Sequence, residues 1–185
     1  GPKILLWFDL MNAPEGKAPM GSEVTMSQNP RFIVRAAGSF KQNEGCSDES
    51  IDSLSSERLE YLCAGECYNP SNEREIIEKI EIIKITPQEY AGEAISPLIQ
   101  DPWKTIPCQG TGECIIEFED QNFSRDSVYY VRAIQNPTPA INGSPLSQRD
   151  NFKLCKGSFR TDLGDDCLSM TNERAWSSPI YVNKP

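Results

Sequence analysis

The sequence predicts an all-β domain, an antiparallel β-sandwich with Greek-key connections and at most a short helix. Three observations carry that reading. About seven short apolar runs are separated by Gly, Pro, Asn and Asp turn signals. No helical pattern alternates with them, which argues against βαβ units and a parallel sheet. The stretch Ile76 to Thr86, IIEKIEIIKIT, holds six isoleucines in eleven residues, and β-branched side chains that are stiff at χ1 fit a pleated sheet. At 185 residues the chain is long enough for one domain with a full core, so residues 1–185 are read as a single sandwich.

The isoleucine stretch is read as the central strand. A helix competes for it: Asn72 and Glu75 make a capping box, and Ile76, Ile80 and Ile83 share a helical stripe. Ile82 and Ile85 fall off that stripe. In period two, Ile80 and Ile82 take one face and Ile83 and Ile85 the other, as in a strand buried on both sides or bulged midway.

The other elements follow in order. Lys3 to Met11 reads as a strand, Asn12 to Gly21 as turn material and Glu23 to Met26 as a short polar strand. Arg31 to Ala37 alternates Phe32, Val34 and Ala36 against Arg31, Ile33 and Arg35, the pattern of a half-buried strand. Gly38 to Ser56 is acidic and aperiodic, hence a surface loop, and Ser56 to Leu62 a short helix packing Leu59 and Leu62. The segment CAGECYNPSNE then turns the chain back into the central strand. Gln88 to Pro107 carries Pro97, Pro102 and Pro107, which argues against regular structure across most of it, with Trp103 plugging the core edge. Cys114 to Glu119 and Ser127 to Gln135 are strands, the second apolar on both faces and therefore near a sheet centre. Asn136 to Asn172 is a long excursion, functional or interface-forming. Ala175 to Asn183 is the last strand, and Pro179 within it marks an edge or a bulge.

Net charge of -9 and a pI near 4.6, with no basic run, argue against nucleic acid and anionic membranes as partners. ILLWF is far shorter than the roughly 20 residues of a membrane span, so no membrane insertion is expected. There is no histidine, which closes the Ser-His and Cys-His nucleophile pairs, the His general base and the His metal ligand.

Seven cysteines stand at Cys46, Cys63, Cys67, Cys108, Cys114, Cys155 and Cys167. Their short Gly- or Asp-rich intervals between apolar runs are those of disulfide-pinned loops in exported proteins. Cys108 with Cys114 and Cys155 with Cys167 are the preferred pairs, each contributing about 2 to 3 kcal/mol in the loop-entropy model. Cys46 with Cys63 or Cys67 leaves one thiol over. A four-thiolate zinc is the rival, disfavoured by spacings of three and five where knuckles use two.

Other candidate sites each have a plainer reading. Asp162, Asp165 and Asp166 in TDLGDDC offer calcium oxygens, but their spacing fits no EF-hand and Asp is an ordinary turn residue. Trp7, Trp103 and Trp176 suggest a sugar-stacking platform; burial in the core or at a domain contact is favoured, each lying in or beside an apolar run. Asn122 and Asn142 begin glycosylation sequons that chance alone supplies. Arg132, Arg160 and Arg174 suggest an anion site, against a paired surface network. Catalysis through Glu57, Glu60 or Asp165 has no motif behind it.

YYVRA and SSPIYV resemble the last two strands of a fibronectin type III domain, with a corner tyrosine early in the penultimate strand. Longer strings carry a second resemblance: GPKILLWFDLMNAP, PRFIVRAAGSF, CAGECYNPSNEREIIEKIEIIKITPQ, PLIQDPW, YYVRAIQNPTPAIN and DDCLSMTNERAWSSPIYV. In order and over nearly the whole chain, they resemble the C-terminal part of a bacterial family of unassigned function related to the polymerase-and-histidinol-phosphatase (PHP) metallo-phosphoesterases. The resemblance implies a fragment of a longer, exported protein, periplasmic or extracellular. A PHP-like domain upstream would then hold the divalent metal and be the partner, with no cofactor in this segment. The chain would be a noncatalytic accessory domain. The alternative is an independent extracellular module that binds carbohydrate or another ligand.

Overall fold

A computed structural model describes residues 3–63, 68–141 and 168–185. The chain forms a β-sandwich whose first sheet has the order β2 (Gly16–Pro19), β1 (Leu5–Ala13), β4 (Arg31–Ala37), β9 (Glu113–Glu119). The second runs β3 (Glu23–Thr25), β12 (Ile180–Asn183), β10 (Ser127–Ile141), β7 (Ile77–Ile85), β8 (Ile99–Pro107), and β11 (Leu168–Trp176) also pairs with β10. All of these pairs are antiparallel except β3 with β12. Placing β4 and β9 in one sheet and β7 and β10 in the other is the Greek-key arrangement of immunoglobulin and fibronectin type III sandwiches.

The isoleucine stretch is the strand β7, flanked by β10 and β8. Ile77, Ile80 and Ile82 enter the core while Ile83 is buried outside that cluster, and the register with β8 shifts between Ile82 and Lys84. The extra residues at that shift belong to β8, so Ile83 reaches the second face by ordinary strand alternation and β7 is buried on both sides. Facing β7 are Phe8, Leu10, Phe32, Val34 and Phe118 of the first sheet. Their rings stack at 5.2 Å (Phe8 to Phe32) and 4.9 Å (Phe32 to Phe118), and Phe32 meets Tyr129 of β10 at 4.8 Å. Trp103, half-buried, closes the core edge with its ring edge-on to Phe118 at 6.3 Å.

Several segments depart from the sequence reading. Asn12 to Gly21 includes β2, which folds back on β1. Gly38 to Ser56 and the segment from Tyr68 are not loop and turn alone: β5 (Phe40–Glu44) pairs with β6 (Tyr68–Arg74). Two helices, α1 (Asp48–Ser53) and α2 (Ser56–Cys63), stand between them where one was expected. These pieces carry mostly exposed polar residues, so hydrophobic periodicity had nothing to register. The proline-rich run forms β8 because this strand is a sheet edge, where a missing N–H costs no ladder bond; Pro102 sits in the bulge opposite β7 and follows a cis peptide bond. Pro179 lies in the break between β11 and β12, which succeed each other along the same side of β10. Ser177 bridges that break: its N–H donates to the Val131 carbonyl and its Oγ accepts from the Val131 N–H, both at 3.0 Å.

Cys108 and Cys114 form a disulfide with Cα atoms 5.7 Å apart. It joins the end of β8 to the start of β9, and so one sheet to the other. Cys67, Cys155 and Cys167 lie outside the described residues, as does the middle of the Asn136 to Asn172 excursion. Its described ends extend β10 to Ile141 and begin β11 at Leu168, a hairpin in place of a loop.

Candidate functional site

Strand alternation gives the first sheet an outer face on which Leu5 and Trp7 of β1, Ile33 and Arg35 of β4, and Ile115 of β9 stand together. The register aligns Trp7, Arg35 and Ile115 in one row. Leu5, Trp7 and Ile115 are 41%, 43% and 64% exposed. The Arg35 guanidinium lies 5.9 Å from the Trp7 ring centroid. Below this row Asp9 is held by Lys17 at 2.7 Å. The result is an exposed face on which Leu5, Trp7 and Ile115 are interleaved with charge, Arg35 within the row and Glu113 and Glu117 on either side of Ile115.

The outer face of the second sheet differs. β7, β10 and β11 shape a polar pocket of about 170 Å3 whose walls include Glu78, Glu81, Arg132, Asn172 and Arg174. Arg132 bonds Glu81 at 2.9 Å and also pairs with Asp101. Trp176 pairs in register with Arg132 and is 58% exposed. Because residues two apart on a strand share a face, Asn172, Arg174 and Trp176 line up along β11.

The three tryptophans therefore form no common platform. Trp7 and Trp176 stand on opposite outer faces, and Trp103 is a core residue. Arg132 belongs to a paired network, as its plainer reading held; Arg174 shares its pocket, and Arg160 lies outside the described residues. So do Asn142, Asp162, Asp165 and Asp166. Asn122 is exposed in the turn between β9 and β10. Glu57 and Glu60 are exposed on α2. Among the described residues no three His, Cys, Asp or Glu side chains cluster as metal ligands. A second pocket, about 310 Å3, lies between the helices and β6, lined by Cys46, Leu54, Leu59, Leu62 and Tyr68 among others. Leu59 is half-buried there and Leu62 is 53% exposed.

Asp120 and Lys84 form an ion pair within the sandwich. Asp120 accepts from Lys84 Nζ at 2.5 Å, the Tyr129 hydroxyl at 2.6 Å and the Asn122 N–H at 3.1 Å. Burial opposes its ionisation, but the three donors outweigh it and hold the carboxyl below the usual carboxylate range. Burial, and then the bond to Asp120, push the Tyr129 phenol well above its ordinary value. No signal in the sequence marked Asp120, since a lone Asp before a turn is commonplace.

Among known proteins, residues 105–184, from within β8 to the end of β12, match the model of a family described as Protein of unknown function (DUF3604). No curated protein and no solved structure matches the chain.

Proposed function

We propose that this chain is a noncatalytic accessory β-sandwich of an exported PHP-like metal-dependent phosphoesterase, packed on the catalytic domain that precedes it. The observation that carries this reading is the exposed row of Trp7, Arg35 and Ile115 with Leu5 beside it. An exposed sheet face that mixes large apolar side chains with charged ones fits a domain contact, since interfaces between domains of one chain are comparatively polar. Metal chemistry is assigned to that preceding domain on the family resemblance alone; this chain has no histidine to contribute. The disulfide between Cys108 and Cys114 is compatible with export.

The test compares this chain with a version extended upstream through the neighbouring domain. Metal content and phosphoester hydrolysis are expected in the longer protein alone. Acrylamide quenching of Trp7, read against a Trp7→Phe variant, should fall on extension. Activity or bound metal in the short chain, or equal quenching of Trp7 in both, would overturn the reading.

A further inference from the structure

The pocket on the second sheet lies on the sandwich face opposite the Trp7 row, so both surfaces can be engaged together. Its charges balance: Lys79, Arg132 and Arg174 stand against Glu78, Glu81 and the Asp101 that pairs with Arg132. Lys79 also reaches Glu81 at 3.5 Å. A walled cleft without surplus charge gives no preference to an anion or a cation and favours a neutral ligand.

The hydrogen-bonding capacity of the walls is not used up. Asn172 spends its Nδ2 on the Gln135 carbonyl at 2.8 Å and on Glu78 at 3.3 Å, which leaves its Oδ1 to accept. Arg174, exposed on the same wall, adds guanidinium N–H donors that can reach a hydroxyl. Carboxylate, amide and guanidinium groups in one cleft are the planar donors and acceptors that match vicinal hydroxyls. Trp176 adds what hydroxyl recognition lacks. Its exposed ring stands beside Arg132, a cross-strand neighbour at about 5 Å, and offers an apolar plane to the C–H face of a pyranose.

We propose that this pocket and the Trp176 ring form a subsite for one neutral hexopyranose of a glycan, stacked on Trp176 and hydrogen-bonded by Asn172 and Arg174. A cleft of this size grips one residue, so the affinity falls in the millimolar range.

The test is an NMR titration of the isotope-labelled chain with cellobiose, maltose and diacetylchitobiose, with glucuronate as the charged comparator. At least one neutral disaccharide should shift the Trp176 indole N–H saturably. Trp176→Ala should weaken that binding about tenfold, and Arg174→Ala should weaken it to a lesser degree. Tyr61→Ala on α2, remote from the pocket, should leave it unchanged. Thermal unfolding of each variant verifies the fold, which the exposure of Trp176 protects. The absence of saturable shifts with every neutral sugar, tighter binding of glucuronate than of any of them, or undiminished binding by Trp176→Ala would each overturn the proposal.

Discussion

The Tyr129 hydroxyl donates to the Asp120 carboxylate at 2.6 Å, joining the start of β10 to the residue that follows β9 through two buried side chains. Lys84 on β7 completes the group, with its Nζ also 5.4 Å from the Trp103 ring centroid. Altering Tyr129 and altering Asp120 have unequal consequences. Tyr129→Phe leaves the ion pair intact and should cost about 1 to 2 kcal/mol. Asp120→Asn leaves a nearly buried ammonium without its anion and should cost about 3 to 5 kcal/mol. Urea denaturation of the two variants checks the order; equal losses would mean that Lys84 reaches solvent without penalty.

The same group fixes the direction of the pH dependence. Asp120 titrates below 3.8 in the folded chain, so the folded state sheds its proton more readily than the unfolded one. Its stabilisation is present above that value and lost as pH falls through the folded pKa. Glu93, held down to about 2 by its bonds from Arg125 and the Glu89 N–H, adds a loss of the same sign. Tyr129 is shifted upward from 10.0, so its contribution is present below pH 10 and lost as pH rises beyond it. Urea midpoints across pH should form a plateau with an acid and an alkaline limb. Asp120→Asn should flatten the acid limb in part, and Tyr129→Phe the alkaline one.

The sandwich was legible because its core strands obey period two. Phe32, Val34 and Ala36 against Arg31, Ile33 and Arg35, and the isoleucines of β7, report burial directly. β5, β6 and α1 were not legible, because polar residues such as those of FKQNE are held by pairing and not by an apolar face. Pro102 and Pro107 misled for a different reason: the penalty on proline depends on whether a strand is an edge, which is a property of the sheet. The candidate surfaces were half legible. Trp7 and Trp176 stood out as residues, but only the register places them on opposite faces, and no spacing links Arg132 to Glu81 and Asp101.

Gly38 follows β4 where the chain passes Glu75. A Cβ built there would lie 2.0 Å from the Glu75 carbonyl oxygen, which is backbone and cannot rotate away. The Gly38 N–H is bonded to the Gly112 carbonyl at 2.8 Å and the Glu75 N–H to the Ser39 carbonyl at 2.8 Å, so a shift of either strand end breaks a bond. Gly38→Ala should therefore destabilise by about 2 to 4 kcal/mol. Gly92→Ala, in an open loop with φ of 92°, meets nothing and should cost about 1 kcal/mol, the strain of its left-handed backbone. A smaller loss at Gly38 than at Gly92 would show that the Glu75 segment yields easily.

The disulfide between Cys108 and Cys114 closes a small loop, with a sequence separation of 6. Its entropic effect on the unfolded chain is about 2 kcal/mol, the lower end of what such bonds contribute. The folded state has its own means of holding that loop against β7. Cys108 donates its N–H to the Glu78 carbonyl at 2.9 Å, and the Ile77 N–H reaches the Thr111 carbonyl at 3.1 Å. The double variant Cys108→Ala with Cys114→Ala should therefore fold, with a urea midpoint lowered in proportion to about 2 to 3 kcal/mol once the loss of buried Cys114 is included. Failure of that variant to fold would mean that the two strand ends depend on the covalent link, and that the backbone bonds form only after it.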